Sequence, residues 1–549
     1  MIISEVMSLR YNQEKVDRLH RLREDVNWLV VSERNDFLVY LEPVINDWHN
    51  QLPNLLDIFT PEEIELLLLD CMNNPSPSDE EVYLGELFVE FVARCRYQDS
   101  LYAIDEKGEP TSRRTTPLHL AARCTFYNRN SMIPLLFKIY DRFDVNYIDK
   151  DGLTHFHVAC EYGCVDVVKN FLECGEDPDC LVPGTNDSPL HLAAKNSSNK
   201  KVIAMLLNRG ANPHRANSQG TTPIHIVCKY DDEEALQMLF ENDRGGLLEA
   251  INIQDTFGWT PLHTALLYAN DNVARWLLER GADANSINGH GETPLHVICK
   301  RRNNYSDAVK VLFEICDKFG QVVQVDARNN EGLTPLQEAV VNLAPRTVAV
   351  LLNRGADLSS FVFPTVDHFT KSFRVRRHEY DFKLQIAAGL LCVVEQLENR
   401  GYRLGRSNAL MIMQLFAQHG LLGKSADLDE CWYNDEELAI KAKEIMIIPS
   451  LSIDDVLQMR PEQEDKLLTY RDYVQLAHTS KLYDLPKRFG DTCVTHLCEK
   501  LSRGFFRRWA LDSILVTSGY RLPTLCCEMI VNCNWMNKDF YNICLSAES

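Results

Sequence analysis

The sequence predicts an all-α protein, a solenoid of repeated helix pairs flanked by helical regions on its N-terminal and C-terminal sides. Three observations carry this. A tetrapeptide recurs seven times in register, a helix-ending signature closes several of the intervals, and the segments outside the repeats show no β alternation of any length.

The tetrapeptide reads Thr116-Pro117-Leu118-His119, Thr154-His155-Phe156-His157, Ser188-Pro189-Leu190-His191 and Thr222-Pro223-Ile224-His225. It continues as Thr260-Pro261-Leu262-His263, Thr293-Pro294-Leu295-His296 and Thr334-Pro335-Leu336-Gln337. The steps between first residues are 38, 34, 34, 38, 33 and 41 (116 to 154 through 293 to 334). Thr or Ser suits a helix N-cap, because its oxygen accepts an orphan backbone N–H. Pro suits the first helical position, where its missing N–H costs nothing. The Leu faces the core between neighbouring repeats. The His is expected to bond the Thr hydroxyl and nearby backbone, a structural role and not that of a ligand or base. A period near 33 with this core resembles the ankyrin repeat.

Each repeat should read turn, helix, helix, finger. The second helix ends at Leu206-Leu207-Asn208-Arg209-Gly210-Ala211, Leu277-Leu278-Glu279-Arg280-Gly281-Ala282 and Leu351-Leu352-Asn353-Arg354-Gly355-Ala356, with a weaker form at Phe171 to Glu176. The Gly tolerates the left-handed conformation that stops a helix. Polar runs such as Ser218-Gln219-Gly220 and Asn288-Gly289-His290-Gly291 read as hairpin tips. Stacking buries an apolar seam that one repeat could not bury alone. Extra residues at Glu241 to Gly246 and at Ile315 to Gly320 are expected in loops, either on a binding face or as drift in tolerant turns.

The domain reading is a helical cap over 1–100, about seven repeats over 101–360, a helical connecting region over 361–475, and a helical C-terminal domain over 476–549. In the cap, Thr60-Pro61-Glu62-Glu63 forms a capping box and Ser78-Asp79-Glu80-Glu81 opens a second helix, carrying Leu87, Phe88, Phe91 and Val92. After the break at Phe361 to Thr365, helices are expected at Phe382 to Glu398, after Ser407, and from Asp435 to Met446. Near the C-terminus Leu522-Pro523 starts an apolar helix, and Asp539-Phe540 opens another.

The chain has 549 residues, a net charge of −21 and a pI of about 5.3. That balance argues against nucleic acid and anionic membranes as partners. The basic run Lys371 to His378 reads as a solvated linker, with a nuclear localisation patch as the alternative. Residues 1–25 show no apolar signal core, and no 18-residue apolar stretch occurs, so a cytoplasmic protein is expected. Nuclear entry and delivery to a host cell stay open. Cys160, Cys228 and Cys299 share one repeat position and read as small buried residues. The pair Cys526-Cys527 diverges on a helix, so no metal is expected there, and no cofactor anywhere. No P-loop, H-E-x-x-H, G-x-S-x-G or kinase motif occurs, which argues against an enzyme.

The C-terminal Leu-Pro, apolar helix and Asp-Phe together resemble an F-box start. With the repeats before it, the chain is similar to ankyrin proteins carrying a C-terminal PRANC domain, known from poxviruses and parasitoid wasps, the wasp form being closer. Phe59 to Ile64, Asp141 to Tyr147, Gly152 to Cys160 and Ala356 to Pro364 carry that resemblance. It implies that Leu522, Pro523, Ile530, Trp535, Asp539 and Phe540 dock the Skp adaptor of a cullin-RING ubiquitin ligase while the repeats select a target. Glu528 and the Asp-Phe pair depart from the F-box spacing. The alternative is a masking inhibitor of a signalling or transcription factor. Candidate target contacts are Phe257 and Trp259 at a finger tip, with His290, Arg328, His214 and Arg215 as weaker candidates. Packing against the next finger is the competing reading for the two aromatics.

Overall fold

The protein is described by a computed structural model that covers residues 2–46, 48, 52–73, 84–100, 103–104, 110–123, 129–242, 250–301, 308–373, 380–422, 436–459, 467–531 and 535–547. The helix start at Ser78 to Glu81, residues 243–246 of the expected insertion, the basic stretch Arg374 to His378, Asp435 and Cys533 lie outside the described residues. The chain divides into two compact units, Met1–Ala282 and Asp283–Ser549.

The first unit opens with α1 (Ile2–Glu24), α2 (Val31–Asn46), α3 (Pro61–Asn73) and α4 (Leu84–Arg94). Thr60 caps α3 as its sequence requires. The Glu63 N–H donates to Thr60 Oγ1 at 3.3 Å and the Thr60 N–H to Glu63 Oε2 at 2.8 Å. Five helix pairs follow: α5 (Pro117–Arg123) with α6 (Arg129–Ile139), α7 (His155–Glu161) with α8 (Val165–Glu173), α9 (Pro189–Ala193) with α10 (Lys200–Asn208), α11 (Pro223–Lys229) with α12 (Glu233–Glu241), and α13 (Pro261–Leu267) with α14 (Asp271–Glu279). The inner helices pack on one another, as do the outer ones.

The motif does what its residue types dictate. At each capped start the His Nδ1 accepts the backbone N–H of the Thr or Ser three residues earlier, as at Thr222 with His225, 3.3 Å. The His Nε2 then reaches a carbonyl in the next finger: Tyr147 from His119 at 3.2 Å, Cys180 from His157 at 3.2 Å, Thr221 from His191 at 3.0 Å and Trp259 from His225 at 3.0 Å. One imidazole therefore closes its own helix and ties two repeats together. In the second motif His155 stands where the others have Pro. Its Nε2 lies 2.7 Å from Thr116 Oγ1 and its ring packs 4.7 Å from that of His119, so it links the first two repeats directly.

The fingers stack through single backbone bonds, such as Ser218 N–H to Thr185 O at 2.8 Å and Thr256 N–H to Gln219 O at 2.9 Å. Gly220 sits at φ +71°, and a Cβ there would meet the Thr256 nitrogen at 2.7 Å. Both the backbone sign and the close approach demand glycine. The motif leucines are buried, Leu262 among them. Leu262→Ala should cost about 2–5 kcal/mol through the cavity it leaves. Chemical denaturation checks this, and an unchanged midpoint would remove Leu262 from the core.

The same geometry extends before the seven motifs. α3 packs on α5 and α4 on α6, with Glu63 taking the role of the motif His. Arg96, at φ +56°, stands where later repeats have Gly, and the Tyr97 N–H closes on Val92 O. The N-terminal helices thus include a repeat-like pair.

The second unit begins with α15 (Pro294–Lys300) and α16 (Ala308–Phe319), then α17 (Pro335–Val341) and α18 (Pro345–Asn353). The Ile315 to Gly320 insertion lengthens α16 to 12 residues and ends at Gly320, φ +72°. It is helix, not the expected loop, because Ile315 and Cys316 are apolar and buried at helical spacing. A further pair follows in α19 (Val366–Phe373) and α20 (Tyr380–Asn399), which pack on α17 and α18. The Thr365 N–H donates to His368 Nδ1 at 3.1 Å, an eighth copy of the motif cap. Leu397 to Gly401 repeats the helix-ending signature, with the Tyr402 N–H on Leu397 O at 3.0 Å. The break expected after residue 360 is therefore bridged by one more pair of repeat geometry.

Beyond it lie α21 (Arg406–Gln418), α22 (Glu436–Glu444), the short strands β1 (Met446–Ile448) and β2 (Leu451–Ser452), α23 (Ile453–Gln458), α24 (Tyr470–Ala477), α25 (Lys487–Thr517), α26 (Thr524–Val531) and α27 (Asn537–Ser546). The strands pair antiparallel across Pro449-Ser450 and shorten the helix expected to reach Met446. The long α25 is the spine of this part, packing on α20, α26 and α27.

Candidate functional site

Two kinds of surface are available for binding: the fingers and grooves of the repeats, and the C-terminal helices. In the finger Asp255 to Trp259, the Asp255 carboxylate accepts the backbone N–H groups of Phe257 and Trp259 at 2.9 and 2.8 Å. This holds the Phe257 ring outward, 59 % exposed. Trp259 is different. Its ring stands edge-on to His263 at 5.8 Å and is half-buried. The two aromatics thus divide the alternatives between them: Phe257 projects and Trp259 packs.

The other finger candidates are exposed or half-exposed. His290 is exposed at its tip, where its carbonyl accepts the Asn330 N–H. Arg328 is exposed and donates to Gly332 O at 2.9 Å, within its own finger. His214 and Arg215 are half-buried. Sequence reasoning missed the Asx residue that shapes most fingers: Asp149, Asn217, Asp255, Asn288 and Asn329 each accept two backbone N–H groups. The signal was present, since each lies five residues before its motif Thr.

A missed surface lies on the fourth and fifth repeats. Tyr230, Leu267 and Tyr268 are all exposed, and Lys229 Nζ sits 5.5 and 5.1 Å from the two tyrosine rings. Tyr162, Tyr230 and Tyr268 each lie eight residues after their motif Thr, a spacing that was legible. Large exposed aromatics beside a cation are typical of protein-binding hot spots. A cleft of about 1150 Å³ also runs under the first fingers, with Arg113, Arg142 and Lys150 facing Asp144, Asp151 and Glu176. Mixed charge on an open groove suits a polypeptide more than a small ion.

The C-terminal candidates separate into two groups. Leu522 and Ile530 are 40 % and 38 % exposed, and Pro523 is exposed beside them. Leu525 and Met529, absent from the sequence-based site, are the most open of the group at 68 % and 67 %. Together they make one face of α26 apolar and exposed, while Cys527 and Val531 on the other face are buried. Phe540 is fully buried, against its expected place in the docking set. Its ring takes Arg503 at 5.6 Å and packs 6.0 Å from Trp535, which is half-buried. Asp539 is exposed, and its carboxylate accepts the Met536 N–H at 2.9 Å as the cap of α27. Phe540 and the Trp535 carbonyl fasten α27 to Arg503 of α25, helped by buried Asn537, which bonds Glu499 and Ser502, while Asp539 caps α27 itself. Burial at 540 follows from the helix register: Asn537, Phe540 and Cys544 share the inner face.

The described cysteines are free thiols, and Cys160, Cys228 and Cys299 are buried as their repeat position requires. Burial pushes all three thiols up, which makes them poor nucleophiles. Among the described residues no group of three His, Cys, Asp or Glu could hold a metal ion. No described helix is long and apolar enough to cross a membrane.

The sequence profile for ankyrin repeats matches residues 91–182, 190–288 and 281–361. This chain carries ankyrin repeats. It is 32 % identical to human B-cell lymphoma 3 protein over 146 residues, 27 % of this chain and 31 % of that protein. It is 30 % identical over 188 residues to phosphocholine transferase AnkX of Legionella pneumophila, 34 % of this chain and 18 % of that one. The chicken nuclear factor NF-kappa-B p105 subunit is 25 % identical over 239 residues, 42 % of this chain and 23 % of that subunit. Among solved structures, the ankyrin repeat domain of Bcl-3, described as a member of the IkappaB protein family, is 27 % identical, with a TM-score of 0.33, covering 38 % of this chain and 90 % of that domain. The chain spans about a third or less of the length of these curated relatives. Ankyrin repeats are an interaction scaffold without catalytic chemistry of their own, and the matched stretches end at residue 361.

Proposed function

We propose that this chain is an adaptor whose ankyrin repeats, over 101–360, hold a protein target and whose C-terminal region, over 476–549, docks the Skp adaptor of a cullin-RING ubiquitin ligase. The observation that carries the reading is the exposed apolar face of α26, with Leu522, Leu525, Met529 and Ile530 on one side of a helix already anchored by the other. Contiguous exposed apolar residues of this kind mark interaction sites. The F-box resemblance of Leu522-Pro523 selects Skp as the occupant. Trp535 and Phe540 act indirectly, by holding α27 on α25, and Asp539 by capping α27. Target contact is assigned to Phe257 and the exposed tyrosines in the first unit, and separately to His290 and Arg328 in the second.

The test is co-expression of the full chain with Skp. A complex should form, and Leu525→Asp with Met529→Asp should abolish it while leaving helicity and target capture intact. Absence of Skp from the purified intact chain would overturn the ligase reading. The second reading is a masking inhibitor in a cytoplasmic or nuclear pathway. It is favoured by the similarity of the repeats to B-cell lymphoma 3 protein and the NF-kappa-B p105 subunit. In that case the α26 variants would leave activity unchanged and finger variants alone would remove it.

A further inference from the structure

A small cavity lies within the second unit, where α21 packs on α25 and α27. Its volume of about 10 Å³ leaves room for one atom-sized occupant. Arg406, at the start of α21, lines it together with Trp509 of α25. Three nitrogens on these two side chains, Arg406 Nε, Arg406 Nη2 and Trp509 Nε1, are buried and have no hydrogen-bond partner. Arg406 also enters no ion pair among the described residues. An orphan buried donor carries its full desolvation cost, and the cost is larger when the group is charged.

The rest of the lining decides what can answer these donors. Ala409, Leu410 and Met413 are apolar. The carbonyls inside α21 and α25 are taken up by their own helix ladders. Cys544 of α27 offers at most a weak acceptor, and no carboxylate is among the described lining residues. Ser513 is buried at the same cavity, and its hydroxyl can turn to donate. A water molecule there would leave its own hydrogens facing apolar walls. A monatomic anion accepts from every side and donates nothing. Phosphate, sulfate and carboxylate ligands are too large for the space.

We propose that this cavity is a halide site and that chloride is its occupant. The ion accepts from Arg406 Nε, Arg406 Nη2 and Trp509 Nε1 at once, and so fastens the start of α21 to α25. It stabilises the helices of this unit by mass action. The site shares no residue with the exposed face of α26, so it stands or falls apart from the Skp reading.

The test is thermal denaturation of the full chain at fixed ionic strength, with sodium chloride replacing sodium gluconate, whose anion cannot enter the cavity. The melting temperature should rise with chloride and saturate. Crystals grown with sodium bromide should show bromine anomalous scattering between Arg406 and Trp509. Trp509→Phe keeps a ring and removes one donor, and should weaken chloride by about tenfold. Arg406→Met should abolish the rise, yet in gluconate it should melt no lower than the parent, because it removes a charge that has no partner there. Arg403→Gln, at an exposed arginine three residues away, should leave the rise unchanged. Circular dichroism checks that each variant folds, and Trp509→Phe carries the test if Arg406→Met does not. A melting temperature indifferent to chloride would assign the cavity to water and overturn the proposal. So would a rise that both variants keep, or bromine signal elsewhere with none at this cavity.

Discussion

Arg114→Leu should destabilise the first unit by about 3–5 kcal/mol, because it strips the counter-charge from two enclosed carboxylates. Arg114 pairs with Glu65 at 2.7 Å and with Asp99 at 2.8 Å, and all three side chains are largely enclosed. The Tyr140 hydroxyl also donates to Glu65, at 2.5 Å. The guanidinium therefore bolts α3 to the first repeat, across 49 residues of sequence from 65 to 114. Burial already raises the Glu65 carboxyl, and Arg114, with help from the Tyr140 hydroxyl, pulls it back. Without Arg114 the burial of Glu65 should raise its carboxyl further, with only the Tyr140 hydroxyl left to hold it down. Urea denaturation measures the loss, and Glu65→Leu in the same background should recover part of it. A midpoint unmoved by Arg114→Leu would show that this network contributes nothing to the junction.

Acid should unfold the array well before most carboxylates are protonated. His119, His155, His157, His191, His225 and His296 are buried, and burial lowers each below the ordinary imidazole value, His119 to about 4. The folded state holds them neutral while the unfolded chain protonates near 6.5, so the unfolded state binds more protons between these values. Their stabilisation is complete above pH 6.5 and is lost as pH falls towards the folded pKa. For His119 alone the fall from pH 6.5 to 5 is about 2 kcal/mol. The geometry gives the reason: Nδ1 must accept a backbone N–H, so it cannot carry a proton. The chain contains its own control. Gln337 accepts the Thr334 N–H at 2.8 Å and donates to Val362 O at 2.8 Å, which reproduces both bonds without a titrating group. His225→Gln should therefore fold at pH 7 and flatten the pH dependence of the melting temperature between pH 7 and 5. An unaltered slope would mean that His225 is not held neutral by its bonds.

The repeats were legible because their determinants are local. Thr222, Pro223 and His225 lie within one turn, and the bonds they make at the helix start depend on nothing distant. The same holds for Gly210 and Gly355, whose positive φ ends a helix wherever it occurs. Two further pairs escaped because their letters differ while their geometry does not. Glu63 stands for His in the one and His368 follows a non-Pro start in the other. Tyr230, Tyr268 and the finger Asx residues were visible as spacings, yet spacing alone carries no sign of which side faces water.

By itself the sequence determined the helix pairs, their caps, their ends and the buried motif leucines, since each rests on contacts a few residues apart. Only the tertiary structure decided which apolar residues of the C-terminal helices are spent inside. Leu525 and Phe540 are both apolar residues on short helices. Phe540 is buried against Arg503 and Trp535, whereas Leu525 is left open because α25 covers only the opposite face of α26. The same holds for the donor-lined cavity, whose lining residues from 406 to 544 meet only once α21, α25 and α27 have packed. Burial and donor clustering are properties of distant segments brought together, and no local pattern encodes them.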